Sequence, residues 1–266
     1  MLSLMSDVIS TKSDEGVLTL TLNRPTKMNA LTRQMYGALA NGLNEAAGDF
    51  SVRAVIISSE GDHFTAGNDI KDFMENPPTS DDTEVAKFLG SLLNFPKPLL
   101  AAVKGNAVGV GTTMLLHCDV VLASPTANFS MPFTSLGLVP EAGSSYLFPA
   151  LVGYQRAARI FLTGETFSAS DAKEMGLVTT IASDVYEQAQ LMDFYETLGT
   201  QNPIGYTDVE IHKLRRIYDV VTAPKEEHSL KRDRKDFFRF FRTQHAESLA
   251  EHESDEPYHC PSLYKI

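Results

Sequence analysis

Three short apolar runs place the tightest limit on how this chain can fold. They are RAVIISSEG at 53–61, LLAAV at 99–103 and DVVLAS at 119–124. Runs this short and this continuously apolar are typical of strands buried on both faces, as in parallel sheets that helices cover. Helical patterns separate the runs, so the first two-thirds of the chain predict an α/β fold.

The segments that flank these runs carry clear strand and helix patterns. VLTLTLNRP at 17–25 alternates leucine with threonine, which predicts a half-buried strand that ends at Pro25. A helix with one apolar stripe follows, with Thr32 as its N-cap and Gly48 as its end. The stripe consists of Leu31, Met35, Leu39 and Leu43.

Later helices are predicted at about 85–93, 112–118, 152–164 and 168–178, the last with Ser168 or Ser170 as its cap and Gly176 as its end. From Asp184 onward the sequence is mostly helical in pattern. We therefore divide the chain into a core over 1–195 and a helical C-terminal region over 196–266.

Composition excludes several classes of protein. The 266 residues carry a net charge of −11, which argues against a nucleic-acid surface, since binding nucleic acid requires a basic one. No segment approaches the length of a membrane span, and the N-terminus lacks a signal-peptide pattern. The two cysteines, Cys118 and Cys260, show no disulfide pattern. These features predict a cytoplasmic protein that binds neither nucleic acid nor membrane.

The glycine-rich turn KGNAVGVG at 104–111 connects a predicted strand to a predicted helix. It lacks the third glycine of a dinucleotide fingerprint, because Met114 stands there, and the lysine of a phosphate loop. Two interpretations stay open for this turn. Its backbone N–H groups bind an anion at the start of the helix, or it is only a tight connection.

A second turn, EGDHFTAGNDI at 60–70, follows a buried strand. Small residues at 66–68 leave backbone N–H groups within reach of a ligand. Taken alone, this segment is an ordinary loop.

Glu141 stands out in SLGLVPEAGSS at 135–145 because its neighbours are apolar or small and no lysine or arginine lies between 136 and 155. One interpretation is a solvated turn residue beside Pro140. The other is a catalytic base in a dry pocket, where burial without a cation raises the pKa of a carboxyl group.

The ordered blocks HFTAGNDI, FPKPLLAAVKGNAVGVGTTMLLHCDVVLAS and SLGLVPEAGSSYLFPALVG resemble the crotonase, or enoyl-CoA hydratase/isomerase, family. The likeness also includes VLTLTLNRPTKMNAL and FLTGETFSASDAKEMGLV, and it spans roughly 15–182. It implies a crotonase-type ββα spiral core with a helical C-terminal region, an acyl-CoA thioester ligand, and a homotrimer or dimer of trimers.

The resemblance also implies roles for particular residues. Backbone N–H groups of Asn68 and Val110 would form an oxyanion hole. Contacts with the substrate would come from Ala66, Gly67, Asp69, Ile70, Gly109, Phe133 and Leu136. Lys27 and Lys71 are candidates for CoA phosphate contacts, with ordinary surface lysines as the alternative.

Carboxylates select the chemistry within this family. Hydratases carry two catalytic glutamates, and their positions correspond here to Thr113 and Phe133. Glu141 instead resembles the single catalytic glutamate of the peroxisomal-type Δ3,Δ2-enoyl-CoA isomerases. The resemblance thus implies an isomerase that shifts a double bond by a proton shuttle, without a metal or any cofactor beyond the CoA of the substrate. Another CoA thioester enzyme, such as a hydratase or hydrolase, and a non-catalytic acyl-CoA-binding protein are the alternatives.

The C-terminal region contains two further clusters. Helix packing, a subunit contact or a lid over the acyl chain would explain the aromatic cluster, which consists of Phe237, Phe238, Phe240 and Phe241. His245, His252 and His259 recur every seven residues, a spacing that does not place ligands on one helical turn. No metal site is predicted.

Overall fold

The structure is a computed structural model that describes residues 7–12, 16–75 and 82–182. Its strands are β1 Val8–Lys12, β2 Val17–Leu22, β3 Ala54–Ser59, β4 Leu99–Val103, β5 Asn106–Val108, β6 Val120–Ala123, β7 Asn128–Ser130, β8 Phe167–Ser168 and β9 Thr180–Ile181. Its helices are α1 Arg33–Gly48, α2 Ile70–Glu75, α3 Glu84–Asn94, α4 Val110–Thr113, α5 Ser144–Val152, α6 Tyr154–Thr163 and α7 Ala169–Glu174.

The main sheet contains six strands in the order β1-β2-β3-β4-β6-β9. All neighbours pair in parallel except β1 and β2, which are antiparallel. The three apolar runs form β3, β4 and β6 in the middle of this sheet, and every residue of β4 is buried. The predicted α/β fold is confirmed.

A second row of strands lies beside the main sheet. It contains β5, β7 and β8, and single backbone bridges Leu31–Asn68 and Thr65–Ala107 extend the pattern. Each turn of the chain thus contributes a strand to the main sheet, a short stretch to the second row, and then a helix. This arrangement is the predicted succession of ββα units. The residue pattern alone predicted β2, β3, β4 and β6 of the main sheet. It predicted no strand of the second row, because strands of two or three residues are too short to show a period.

Two helix caps were predicted correctly. Thr32 caps α1 by accepting a hydrogen bond from the Met35 N–H, and Ser168 forms a capping box with Asp171 at α7.

Three features of the helices differ from the predictions, and the first is that α2 was not predicted. The helix predicted over 112–118 is α-helical only to Thr113, and Met114–His117 is a 3-10 turn. Helix α5 was not predicted, because its sequence SSYLFPALV contains Pro149 and is apolar on most sides.

The predicted boundary at 195/196, the helical C-terminal region and its phenylalanine and histidine clusters lie outside the described residues. Across 7–12, 16–75 and 82–182, no helix combines the length and the apolar character that a membrane crossing requires.

Candidate active site

The loop after β3 is held by a dense set of hydrogen bonds. Asn29 is fully buried in a left-handed conformation, and its side-chain amide donates to the carbonyls of Glu60 and His63, each at 2.8 Å. The Thr65 hydroxyl donates to the Asn29 carbonyl at 2.7 Å. These contacts fix the loop against the NRPTKMNAL segment, and they explain why a buried asparagine lies in that motif.

Most backbone N–H groups of this loop are already bound. The N–H of Ala66 donates to Met28, that of Gly67 to the Thr65 hydroxyl, and that of Asp69 to Leu31. The prediction that small residues at 66–68 leave backbone N–H groups within reach of a ligand therefore does not hold for Ala66 and Gly67. Within the described part of the chain, the N–H of Asn68 has no hydrogen-bond partner.

The glycine-rich turn lies directly against this loop. A Cβ atom on Gly67, which has φ +86°, would lie 2.8 Å from the Val108 carbonyl oxygen, so only glycine permits this approach. The Gly109 N–H donates to Ser130 at 2.9 Å. The N–H groups of Val110 and Gly111, at the start of α4, have no partner among the residues described.

Helix α4 is too short to have a strong dipole. A macrodipole requires several aligned peptide units, and α4 has four residues. The N–H of Val110 is instead available because it occupies the first turn, where no preceding carbonyl can accept it.

The turn that carries Glu141 is held through its backbone. The Ser144 N–H donates to the Glu141 carbonyl at 2.9 Å, and the His117 ring nitrogen lies 2.7 Å from the Ala142 carbonyl. Ala142 is buried with φ +55°, a conformation that is uncommon for residues other than glycine. This backbone path directs Glu141 toward α4.

The carboxyl group of Glu141 accepts a hydrogen bond from the Thr113 hydroxyl at 2.5 Å. Burial raises the pKa of Glu141 to about 7, and the hydrogen bond from Thr113 opposes that rise. None of the ion pairs in the described residues involves Glu141. In this part of the chain, the Glu141 carboxyl group thus combines a raised pKa with a hydroxyl group as its hydrogen-bond partner.

The structure brings the three predicted catalytic residues together. Thr113 contacts Glu141 and lies one turn after Val110 on α4. The Tyr36 hydroxyl donates to the side-chain oxygen of Asn68, and the charge of Glu141 adds to the effect of burial in raising the pKa of Tyr36. The Tyr36 hydroxyl thus contacts Asn68 and lies close enough to Glu141 for the charge of that carboxylate to affect its pKa.

The predicted substrate-contact residues are more dispersed. Phe133 is 5% exposed and its ring packs against Phe161 with centroids 6.4 Å apart. Ile70 and Leu136 are 64% and 56% exposed, and Lys27 is exposed on a 3-10 turn. Contact of these residues with a substrate stays a prediction.

Asp69 has a structural set of partners. Its carboxylate forms an ion pair with Arg24 at 2.8 Å and accepts the N–H groups of Lys71 and Asp72 at the start of α2. The hydrogen bond from Arg24 is the main cause that lowers its pKa. These partners fix the end of the loop, and contact of Asp69 with a substrate stays a prediction.

Sequence reasoning missed Tyr36 entirely. Its ring lies off the predicted stripe of α1, and its hydroxyl contacts a residue 32 positions later. The Glu141–Thr113 hydrogen bond was also missed, because Thr113 was considered only as the residue at the position of a hydratase glutamate. No cluster of three histidine, cysteine, aspartate or glutamate side chains that could hold a metal occurs in the described ranges.

Comparisons with known proteins agree with this architecture. Residues 12–256 match the family described as enoyl-CoA hydratase/isomerase. The chain is 36% identical to the enoyl-CoA hydratase/isomerase of Pseudoalteromonas atlantica T6c, whose crystal structure superposes with a TM-score of 0.79 over 96% of this chain and 100% of that one.

Relatives with different activities are similarly close. Mouse "Enoyl-CoA delta isomerase 3, peroxisomal" is 34% identical over 80% of this chain and 70% of its own length. "2,3-dehydroadipyl-CoA hydratase" of Escherichia coli (strain K12) is 37% identical over 74% of this chain and 76% of its own length. Overall identity therefore does not distinguish isomerase from hydratase, but it does establish the family. The chain belongs to the enoyl-CoA hydratase/isomerase, or crotonase, family.

Proposed function

We propose that this protein is a Δ3,Δ2-enoyl-CoA isomerase that converts a 3-enoyl-CoA thioester into its 2-trans isomer. The observation that carries the proposal is Glu141. Its pKa is raised to about 7 by burial, and its one side-chain hydrogen-bond partner in the described structure is the Thr113 hydroxyl. A base with this pKa is deprotonated in half of the molecules at neutral pH and accepts a proton readily.

The reaction needs one group that moves one proton. The Glu141 carboxylate removes a proton from C2, and the electrons of that C–H bond form a dienolate whose negative charge lies on the thioester oxygen. The protonated Glu141 then returns the proton to C4, and the double bond ends between C2 and C3. Atoms and charge balance without water, and neither a metal nor a redox cofactor is needed for this step.

The dienolate oxygen requires hydrogen-bond donors that are already in place. The N–H groups of Asn68 and Val110 have no partners in the described structure, whereas their neighbours Ala66, Gly67 and Gly109 do. Donors left unbound in the resting protein need not break another bond when negative charge develops. This pattern supports an oxyanion hole formed by these two groups.

Hydration is the main alternative within the family. Adding water across a double bond requires one group to activate the water and another to protonate carbon. Thr113 stands at one of the two glutamate positions and donates to Glu141, while Phe133 stands at the other and packs against Phe161. Neither side chain can act as an acid or base at neutral pH, and this favours isomerisation over hydration.

The test is an assay with 3-hexenoyl-CoA that follows formation of the conjugated 2-enoyl-CoA. We expect turnover by the wild type, and a decrease of about 10² or more in kcat for Glu141→Gln, which keeps the shape but removes the base. Glu174→Gln is the matched control, because Glu174 is 73% exposed and pairs with Arg156. It should retain wild-type activity.

Other outcomes identify the alternatives. Release of free CoA or formation of a 3-hydroxyacyl-CoA would assign a hydrolase or hydratase. Thioester binding with no turnover, unchanged in Glu141→Gln, would assign a non-catalytic acyl-CoA-binding protein.

The proposal includes a homotrimer or dimer of trimers and a cytoplasmic location. Lys27 and Lys71 are its candidates for contact with the CoA phosphates. Sedimentation of the purified protein tests the proposed oligomeric state.

A further inference from the structure

Tyr36 is a buried side chain that the proton shuttle leaves without a role. It lies in the first turn of α1, is 2% exposed, and packs against Phe88 with ring centroids 5.5 Å apart. A buried hydroxyl requires a hydrogen-bond partner. The partner of Tyr36 is the side-chain oxygen of Asn68, across a distance of 32 residues in sequence.

The backbone on both sides of Asn68 is also fixed, and by the segment that leads into the same helix. The Leu31 N–H donates to the Gly67 carbonyl at 2.7 Å, and the Asp69 N–H donates to the Leu31 carbonyl at 2.9 Å. In this parallel bridge, Leu31 is bound by the carbonyl of the residue before Asn68 and by the N–H of the residue after it. The N–H of Asn68 itself points away from Leu31.

Rotation of the Asn68 peptide is therefore limited by the bridge and by the side-chain contact. The bridge alone leaves the asparagine side chain free to turn and to bond its own backbone, as asparagine commonly does in loops. The Tyr36 hydroxyl occupies the side-chain oxygen and prevents this. The Asn68 N–H then stays available for a ligand.

We propose that Tyr36 is a positioning residue that holds Asn68 so that its N–H faces the thioester oxygen of the substrate. This inference rests on the proposed function, in which that N–H forms part of the oxyanion hole. In this role Tyr36 acts through Asn68 and not directly on the substrate or the transferred proton.

The protonation of Tyr36 agrees with this role. Burial and the nearby charge of Glu141 raise its pKa well above the ordinary value, so the hydroxyl keeps its proton throughout the neutral range and always donates. Because the hydroxyl donates to Asn68 and not to Glu141, its removal should leave the acid limb of the pH–rate profile in place.

The test is Tyr36→Phe, which removes the hydroxyl and preserves the ring. We expect kcat for 3-hexenoyl-CoA to fall about tenfold, with KM changed by less than about twofold, because a misplaced donor weakens the transition state more than binding. The midpoint of the acid limb should match the wild type. Tyr146→Phe, on α5 and 42% exposed, is the matched control and should not change kcat.

A double-mutant cycle with Asn68→Ala tests the route of the effect. Alanine keeps the backbone N–H and removes the side chain that Tyr36 holds, so Tyr36→Phe should change kcat less than about twofold in that background. The inference is overturned if Tyr36→Phe retains full activity, or if its effect is equally large with and without the Asn68 side chain.

A spectroscopic measurement separates this inference from the proposed reaction. The infrared stretch of a ¹³C-labelled thioester carbonyl in bound 2-hexenoyl-CoA reports donors at that oxygen. We expect a shift to lower frequency in the wild type and a smaller shift in Tyr36→Phe. If the wild type shows the shift but no isomerisation, the proposed function fails and the variant still decides the inference; if the wild type shows no shift, the inference fails.

Discussion

Asp69 and Glu141 are two carboxylates of one candidate site with opposite electrostatics. Asp69 ends the loop after β3, and its pKa is lowered by the Arg24 guanidinium and by two backbone N–H groups. Glu141 precedes α5, and burial raises its pKa to about 7 against a single hydroxyl donor. The number and charge of the partners, and not the side-chain type, decide which carboxylate can exchange a proton near neutral pH.

The surrounding backbone differs in the same way. The loop with Asp69 is tied to the 28–31 segment by several hydrogen bonds that satisfy its polar groups. The turn with Glu141 is fixed through its backbone, including the positive φ of Ala142, while its carboxyl group keeps one partner. One carboxylate therefore stabilises the fold, and the other is held in a state that costs stability.

The largest expected effect is on the free energy of unfolding, which the ionisation of buried Glu141 lowers. The folded pKa of Glu141, about 7, lies above the unfolded value of 4.5, so the neutral carboxyl stabilises the fold at low pH and this stabilisation is lost as pH rises through 7. Glu141→Gln cannot ionise. Its stability relative to the wild type should rise by about 3 kcal/mol between pH 4.5 and pH 8, as measured by urea unfolding.

The control for this measurement is again Glu174→Gln, whose side chain is 73% exposed. Its stability difference from the wild type should change by less than about 0.5 kcal/mol over the same range. An equal difference at both pH values for Glu141→Gln would mean that the carboxyl group is not desolvated.

A smaller effect on the free energy of unfolding is expected at the other carboxylate, Asp69. Arg24→Met leaves Asp69 without its cation, so the pKa of Asp69 should rise and the free energy of unfolding at pH 7 should fall by about 2 kcal/mol. The Arg24–Asp69 side chains are only 21% and 17% exposed. Arg156→Met breaks a pair that is 45% and 73% exposed and should cost less than about 0.5 kcal/mol. Equal losses for both variants would contradict the structural role of the Arg24–Asp69 pair.

The smallest effect is expected when Glu141 loses the hydroxyl group that donates a hydrogen bond to it. Thr113→Val keeps the shape and loses the hydroxyl, so the pKa of Glu141 should rise and the acid limb of kcat/KM should move from about pH 7 to about pH 8. Activity at pH 6 should fall about tenfold, with near recovery at pH 8.5. Thr113→Ser, which keeps the donor, should restore the wild-type profile, and an unmoved limb in Thr113→Val would exclude this tuning.

Much of the fold follows from local patterns in the sequence. The continuous apolar runs predicted β3, β4 and β6, and the four-residue period with Thr32 as its cap predicted α1. Strands of three residues and helix α5 were not predictable, because a short strand has no period and α5 is apolar with an internal proline. The long periodic elements bury enough surface to reveal their faces, whereas the short ones are fixed by their neighbours.

The candidate site was likewise predictable from the sequence only in part. The composition of its turns showed that Glu141 has no cation near it in sequence, and the ordered motifs indicated the family that the comparisons then established. The sequence could not show that Tyr36 holds Asn68, that Thr113 donates to Glu141, or which N–H groups remain unbound. Those facts depend on contacts between residues 28 to 32 positions apart, and only the tertiary structure brings such residues together.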